Sequence, residues 1–210
     1  MMNYGKNMLN FASLAGKRLL ILLLVLSVLT ACGTTSKATK FTTDDIVISE
    51  EFGIDTDLAD KFNQAVKHIK ERKYDIAIEL LLEVTAKTDK HSAPYINLGI
   101  AYSESGKIKE AEDVFLKAVK INPTHPVLNN ELGLLYRKTG RFSEAKKTYE
   151  SLLNNYPQFL PARKNLGILC DLFMNDLDCA IKHYEVYLKL KPNEKNIEIW
   201  LADLKRRVGK

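Results

Sequence analysis

The feature that most restricts how this chain can fold is a period. Written under itself with a step of 34 residues, the sequence aligns Leu98 with Leu132 and Leu166, Gly99 with Gly133 and Gly167, and Ala77 with Ala111 and Ala145. Tyr102 falls on Tyr136 and Pro123 on Pro157 at the same step. A fixed period of this size means one small unit repeated along the chain, each copy burying its apolar face against the next. Each unit reads as two helical stretches. The first carries Leu-Gly with Tyr three residues beyond, a turn follows at Ser105-Gly106-Lys107 or Thr139-Gly140-Arg141, and the second carries Ala with an aromatic four residues on. Glycine and alanine let two helices approach closely, the ring fills the space between hairpins, and proline stops the second helix.

These residues resemble the tetratricopeptide repeat over residues 58–194, as four units: 58–91, 92–125, 126–159 and 160–194. The second has Tyr95, Leu98, Gly99, Tyr102, Ala111, Phe115, Ala118 and Pro123 at all the consensus places, with Tyr95 in place of the usual tryptophan. The third keeps Leu132, Gly133, Tyr136, Ala145, Tyr149 and Pro157. The first is degenerate, retaining Ala65 and Ala77 but lacking the final proline, as suits an end repeat. In the fourth, Leu166, Gly167, Ala180, Tyr184 and Pro192 survive, Cys170 replaces the tyrosine, and one extra residue is expected to lengthen the turn. The resemblance implies an all-α, right-handed superhelical solenoid of helical hairpins. Residues 195–210, with Ile197, Trp200, Leu201, Leu204 and Val208 at helical spacing, are expected to form a capping helix; Trp200 serves either as that cap or as a partner anchor. Lys205, Arg206, Arg207 and Lys210 read as a solvated helix end or a basic patch.

The N-terminus has a different character. Lys6, Lys17 and Arg18 precede an apolar run of 13 residues, Leu19 to Ala31. A bilayer-spanning helix needs roughly 20, so the pattern is that of a signal segment, residues 1–31. Leu29-Thr30-Ala31-Cys32 resembles the lipobox of bacterial lipoproteins, which implies a diacylglycerol and an N-acyl chain on Cys32 and no other cofactor. The plain alternative is an ordinary signal peptide with a chance cysteine. Gly33 and Thr34 take the place of the aspartate that retains such lipoproteins at the inner membrane, so the resemblance implies an outer-membrane anchor facing the periplasm. Acyl methylenes bury at about 0.8 kcal/mol each, and two or more chains make attachment durable. Residues 32–57 read as the lipidated N-terminus and a tether; the Phe41 to Phe52 stretch is left open between coil and a strand folded back on the domain.

Charge excludes one class of partner. The chain has 31 basic and 26 acidic residues, and the first 31 residues hold three of the cations and no acid. The remainder, with both signs interspersed, has no footprint for nucleic acid. No GxSxG, HExxH, P-loop or GxGxxG occurs, and the four histidines are scattered, so neither an enzyme nor a metal site is expected. His68 and Glu71 read as a surface pair. Cys170 and Cys179 share the lengthened unit; they form either a disulfide, adding on the order of 2.5 to 3 kcal/mol, or a pair of small buried apolar residues.

In stacked hairpins the first helices line one side. The ninth position of each unit supplies Val66, Ile100, Leu134 and Ile168, with Asn97, Asn130, Arg137, Lys138, Lys164 and Asp171 around them. This set reads as a groove for an extended peptide or amphipathic helix. The alternative is that these aliphatics only pack between helices. The chaperone-tail clamp of some family members uses polar side chains where Val66 and Ile100 stand, so a C-terminal carboxylate ligand is not implied. The expected function is a non-catalytic scaffold that binds an envelope protein or peptide and helps localise or assemble a pilus, motility or wall-synthesis complex. The alternative is a self-associating brace, a homodimer without a groove ligand.

Overall fold

A computed structural model of the chain describes residues 56–209. The expected signal segment, Cys32 and nearly all of the tether lie outside the described residues. Four helical hairpins follow one another: α1 (Thr56–Lys70) with α2 (Tyr74–Lys87), α3 (Ser92–Glu104) with α4 (Ile108–Ile121), α5 (Pro126–Lys138) with α6 (Phe142–Asn155), and α7 (Leu160–Ile168) with α8 (Leu177–Leu190). A ninth helix, α9 (Lys195–Arg207), packs on α8. Each hairpin packs on the next, and the first helices α1, α3, α5 and α7 lie side by side. No strand occurs among the described residues, and none of their helices is long and apolar enough to cross a membrane. The array is an all-α solenoid.

The small-plus-aromatic pairs hold each hairpin together. Gly99, Gly133 and Gly167 sit against the rings of Phe115, Tyr149 and Tyr184, all essentially unexposed. A Cβ on Gly133 would stand 2.6 Å from the Tyr149 ring, and one on Gly99 or Gly167 would overlap Phe115 or Tyr184. Only a residue without a side chain lets the ring lie directly on the helix backbone. In the first hairpin Leu81, also fully buried, occupies the ring's place four residues after Ala77.

The helix reversals use one device three times and a variant once. The backbone N–H groups of Lys73, Lys107 and Arg141 donate to the carbonyls of His68, Tyr102 and Tyr136, each at 2.8 Å. The residue before each is left-handed: Arg72 at φ 59°, Gly106 at 81° and Gly140 at 77°. In the fourth hairpin the equivalent bond runs from Asp176 N–H to the Cys170 carbonyl, also at 2.8 Å, with Asn175 left-handed at 51°. That ring encloses one residue more. The extra residue does not lengthen the connecting turn as the sequence suggests; it is absorbed into a π-helical turn, Leu169–Phe173, where Met174 N–H reaches back to the Leu169 carbonyl at 3.1 Å. An i→i+5 bond accommodates one residue beyond an α-turn, so the helix end widens while the reversal keeps its form.

The terminal helix covers the last hairpin with Ile197 and Leu204, both buried. Trp200 leans on Tyr184 at 5.8 Å between ring centroids yet keeps 37% exposure, so it caps only in part. Three of the terminal cations are matched: Lys205 with Glu185 at 2.7 Å, Arg207 with Asp171 at 3.0 Å, and Arg206 with Asp203 at 2.6 Å.

Candidate functional site

The side shared by the first helices is tied together by polar links that step from one hairpin to the next. Lys138 Nζ on α5 meets Glu104 on α3 at 2.8 Å and Ser103 at 3.3 Å. Asn165 Nδ2 on α7 donates to Asn130 Oδ1 on α5 at 3.0 Å, and Asn130 Nδ2 in turn donates to Glu131 Oε1 at 3.0 Å. Beyond α7, Arg207 reaches Asp171 in the π-turn.

Within this frame the four ninth-position aliphatics do not form a uniform floor. Val66 and Ile100 are buried at 8% and 3% exposure and pack between helices, whereas Leu134 and Ile168 are half-buried and present surface. α3 packs against both α2 and α4, and its run from Ser92 to Ala101 is buried without a break, which leaves Ile100 no open side. Asn97 is also enclosed, its Nδ2 donating to the Ala93 carbonyl at 3.2 Å, so it is a packing residue rather than a rim. Asn130 is buried, Lys164 is exposed, and Arg137 is half-buried. The Arg137 guanidinium lies over the Phe173 ring at 5.7 Å from its centroid, and its Nη1 has no hydrogen-bond partner among the described residues. The open surface is therefore the stretch built from α5, α7 and the π-turn, where Leu172 and Phe173 are exposed as well.

One titratable residue on this side escapes the sequence reading, and a second, Tyr149, enters it only as a packing ring. Glu131, half-buried, has its carboxyl pushed up to about 7 by burial, against the partly compensating Asn130 hydrogen bond and the more distant Lys138 charge. Its place was legible in principle: it stands midway between Asn97 and Asn165 at the 34-residue step, a carboxylate where its counterparts are amides. Tyr149, on α6, has its phenol held above the ordinary range by burial, and its hydroxyl has no hydrogen-bond partner among the described residues.

Cys170 and Cys179 are joined, their Cα atoms 5.9 Å apart, which ties the π-turn to the first turn of α8. Asp176 caps α8 by accepting from Cys179 N–H at 3.1 Å and pairs with Lys146 at 3.0 Å; both contacts hold its carboxyl below the ordinary range, Lys146 foremost. Cys170, Asp176 and Cys179 are the one set of three metal-type ligand atoms close together among the described residues, but both sulfurs are consumed by the disulfide. His68 lies 3.7 Å from Glu71.

Residues 92–125 match a family model of the tetratricopeptide repeat, and residues 114–147 match a second model of the same repeat. Among solved structures, a MamA RS-1 double mutant is 20% identical, with 74% of this chain and 87% of that one covered at a TM-score of 0.65. MamA from residue 41 to its end, from Desulfovibrio magneticus RS-1, is 21% identical over 74% and 87% at 0.64. A thermophilic TPR protein of Thermus thermophilus is 22% identical over 71% and 81% at 0.63. No curated protein matches the sequence. The likenesses concern the fold, and within that fold residues 92–147 carry the tetratricopeptide repeat that the two models match.

Proposed function

We propose that this chain is a non-catalytic binding scaffold of the cell envelope, held by lipid on Cys32 at the outer membrane and facing the periplasm. It offers the α5–α7 side to an extended or helical segment of another envelope protein and so helps to localise or assemble a larger complex, of pilus, motility or wall-synthesis type. The observation that carries the binding reading is the half-buried pair Leu134 and Ile168, bordered by amide and charged groups on helices already fixed by their own cross-links. An apolar strip with a polar rim on a rigid support suits a peptide, whose burial then costs the scaffold little ordering. The Leu-Thr-Ala-Cys sequence after the apolar run supports the anchor, and the joined Cys170 and Cys179 suit an oxidising compartment.

Crosslinking of the membrane-attached protein in its native cells, followed by affinity purification and mass spectrometry, is the direct test. Envelope components recovered with the wild type and lost with folded Leu134→Glu/Ile168→Glu support the reading; an unchanged set of partners refutes groove binding. Ile100 is unsuited to this experiment because glutamate at a buried site would unfold α3. Cys32→Ser is expected to move the protein out of the membrane fraction. A second reading, the self-associating brace, rests on the exposure of Ile199 (65%) and Trp200 on α9. A monomer in sedimentation at micromolar concentration would remove it.

A further inference from the structure

The acids on the first-helix side divide into two kinds. Glu104 is matched by Lys138, and Asp171 by Arg207. Glu131 has no ion-pair partner among the described residues: its sole hydrogen bond is the one donated by the neighbouring Asn130. None of the cations on its side forms an ion pair with it among the described residues: Lys138 is held by Glu104 and Ser103, Arg137 lies over Phe173, and Lys164 is exposed. The carboxyl is nonetheless aimed. Asn165 donates to Asn130 Oδ1, which leaves the Asn130 amide nitrogen as the only group of that side chain able to face Glu131, so α7 orients the carboxyl on α5 without neutralising it. A half-buried carboxylate gains little from solvent and is stabilised strongly by a cation brought against it. Leu134 lies one helical turn away, and Ile168 stands at the corresponding place on the next first helix, a surface suited to the methylene stem of a long basic side chain.

We infer that Glu131 is a specificity site of the groove, receiving a lysine or arginine side chain of the bound peptide while Leu134 and Ile168 take its aliphatic stem. The inference rests on the groove reading above and names the chemistry of its ligand. The groups facing the carboxyl are Asn130 and Lys138 on its own helix, Glu104 from α3, Tyr149 from α6 and Asn165 through Asn130 from α7. Burial sets the Glu131 carboxyl near 7, so capture of a cation strengthens as the pH rises from 6 to 8.

Random dodecapeptides displayed on phage, selected against the full chain in detergent, supply the probe. The expected result is enrichment of Lys or Arg at one position. A synthetic copy of a selected peptide then binds at least 10-fold tighter than its norleucine variant, and Glu131→Gln, nearly isosteric, reduces that ratio below about 2-fold and flattens its rise between pH 6 and 8. A ratio unchanged in Glu131→Gln overturns the assignment, as does selection of peptides without a basic residue. Leu134→Glu/Ile168→Glu, checked for native helicity, separates the two readings. If it abolishes binding while Glu131→Gln leaves the basic preference intact, the groove stands and the assignment to Glu131 falls; if selected peptides bind it normally, or no peptide is enriched at all, both fall.

Discussion

The turns of the third and fourth hairpins solve the same problem with different parts. Between α5 and α6, Gly140 takes the left-handed position, Arg141 begins α6 without a side-chain cap, and Arg141 ties back to Glu112 at 2.8 Å. Between α7 and α8, Asn175 is left-handed, Asp176 stands in the arginine's place, and its partner is Lys146, so the sign of the tie is reversed. The exchange has a consequence beyond charge. A cation at the head of a helix opposes the macrodipole and cannot accept from its free N–H groups, whereas Asp176 does both tasks at once. The fourth turn thus compensates for its widened helix end with a cap and a disulfide, while the third needs neither because its α-helix closes normally. A repeat tolerates an inserted residue when the insertion is absorbed where backbone hydrogen bonds can be remade and is then pinned.

That comparison can be broken or sharpened by experiment. The largest expected effects come from the rings that the two hairpins share: Tyr149→Ala and Tyr184→Ala each leave a cavity against a glycine and should cost about 3–5 kcal/mol in urea unfolding. A loss below about 1 kcal/mol at either would show that the ring is not the filler of its hairpin. Acid comes next. His125 caps α5 by accepting from Leu128 N–H, and His183 accepts from Arg163, so both must stay neutral; burial holds each near 4, with Arg163 adding to the effect at His183. Because these values lie below the unfolded 6.5, their contribution is present above about pH 6.5 and is lost as the pH falls through 4. The loss is on the order of 3 kcal/mol per histidine. Thermal melts from pH 7 to 4 should show it, and His125→Asn, which keeps a capping acceptor, should flatten part of the slope.

Removing the disulfide with Cys170→Ala/Cys179→Ala should cost about 2.5–3 kcal/mol by the loop-entropy argument. Hydrogen exchange should quicken in the π-turn and α8 and stay unchanged in the third hairpin; faster exchange throughout would mean the pin is not local. Gly133→Ala drives a Cβ into the Tyr149 ring and should cost about 1–3 kcal/mol, read from the shift of the urea midpoint at constant slope. The smallest effect concerns the first turn, where Arg72 holds the left-handed conformation that glycine holds in the second and third. Arg72→Gly should stabilise the protein by about 0.5–1 kcal/mol, and a destabilisation would mean that the arginine side chain does more than tolerate its backbone.

The parts of the fold that repeat were legible without coordinates. Leu98, Gly99, Phe115 and their copies are periodic because each hairpin must present the same small and large surfaces to its neighbour, so packing is written into the sequence directly. What followed no period was not legible. The extra residue before Ala180 is visible as a count, but whether it lengthens a turn or widens a helix depends on which backbone groups remain free to bond. The bridge between Cys170 and Cys179 depends on the Cα separation that the π-turn creates. The ninth-position series looked equivalent from Val66 to Ile168, yet Ile100 is sealed and Leu134 is open, because exposure is set by residues on adjacent hairpins that share no position with it.

By itself, then, the sequence determined the number of hairpins, their partners in the stack and the residues that join them, since short-range periodicity and local turn chemistry specify a structure whose contacts are nearly all between neighbours. The tertiary structure decided which of the equivalent side chains face outward, how the fourth hairpin absorbs its insertion, and that Glu131 forms no ion pair among the described residues. Those outcomes are settled by surfaces and charges brought together from different repeats, and no single unit carries them.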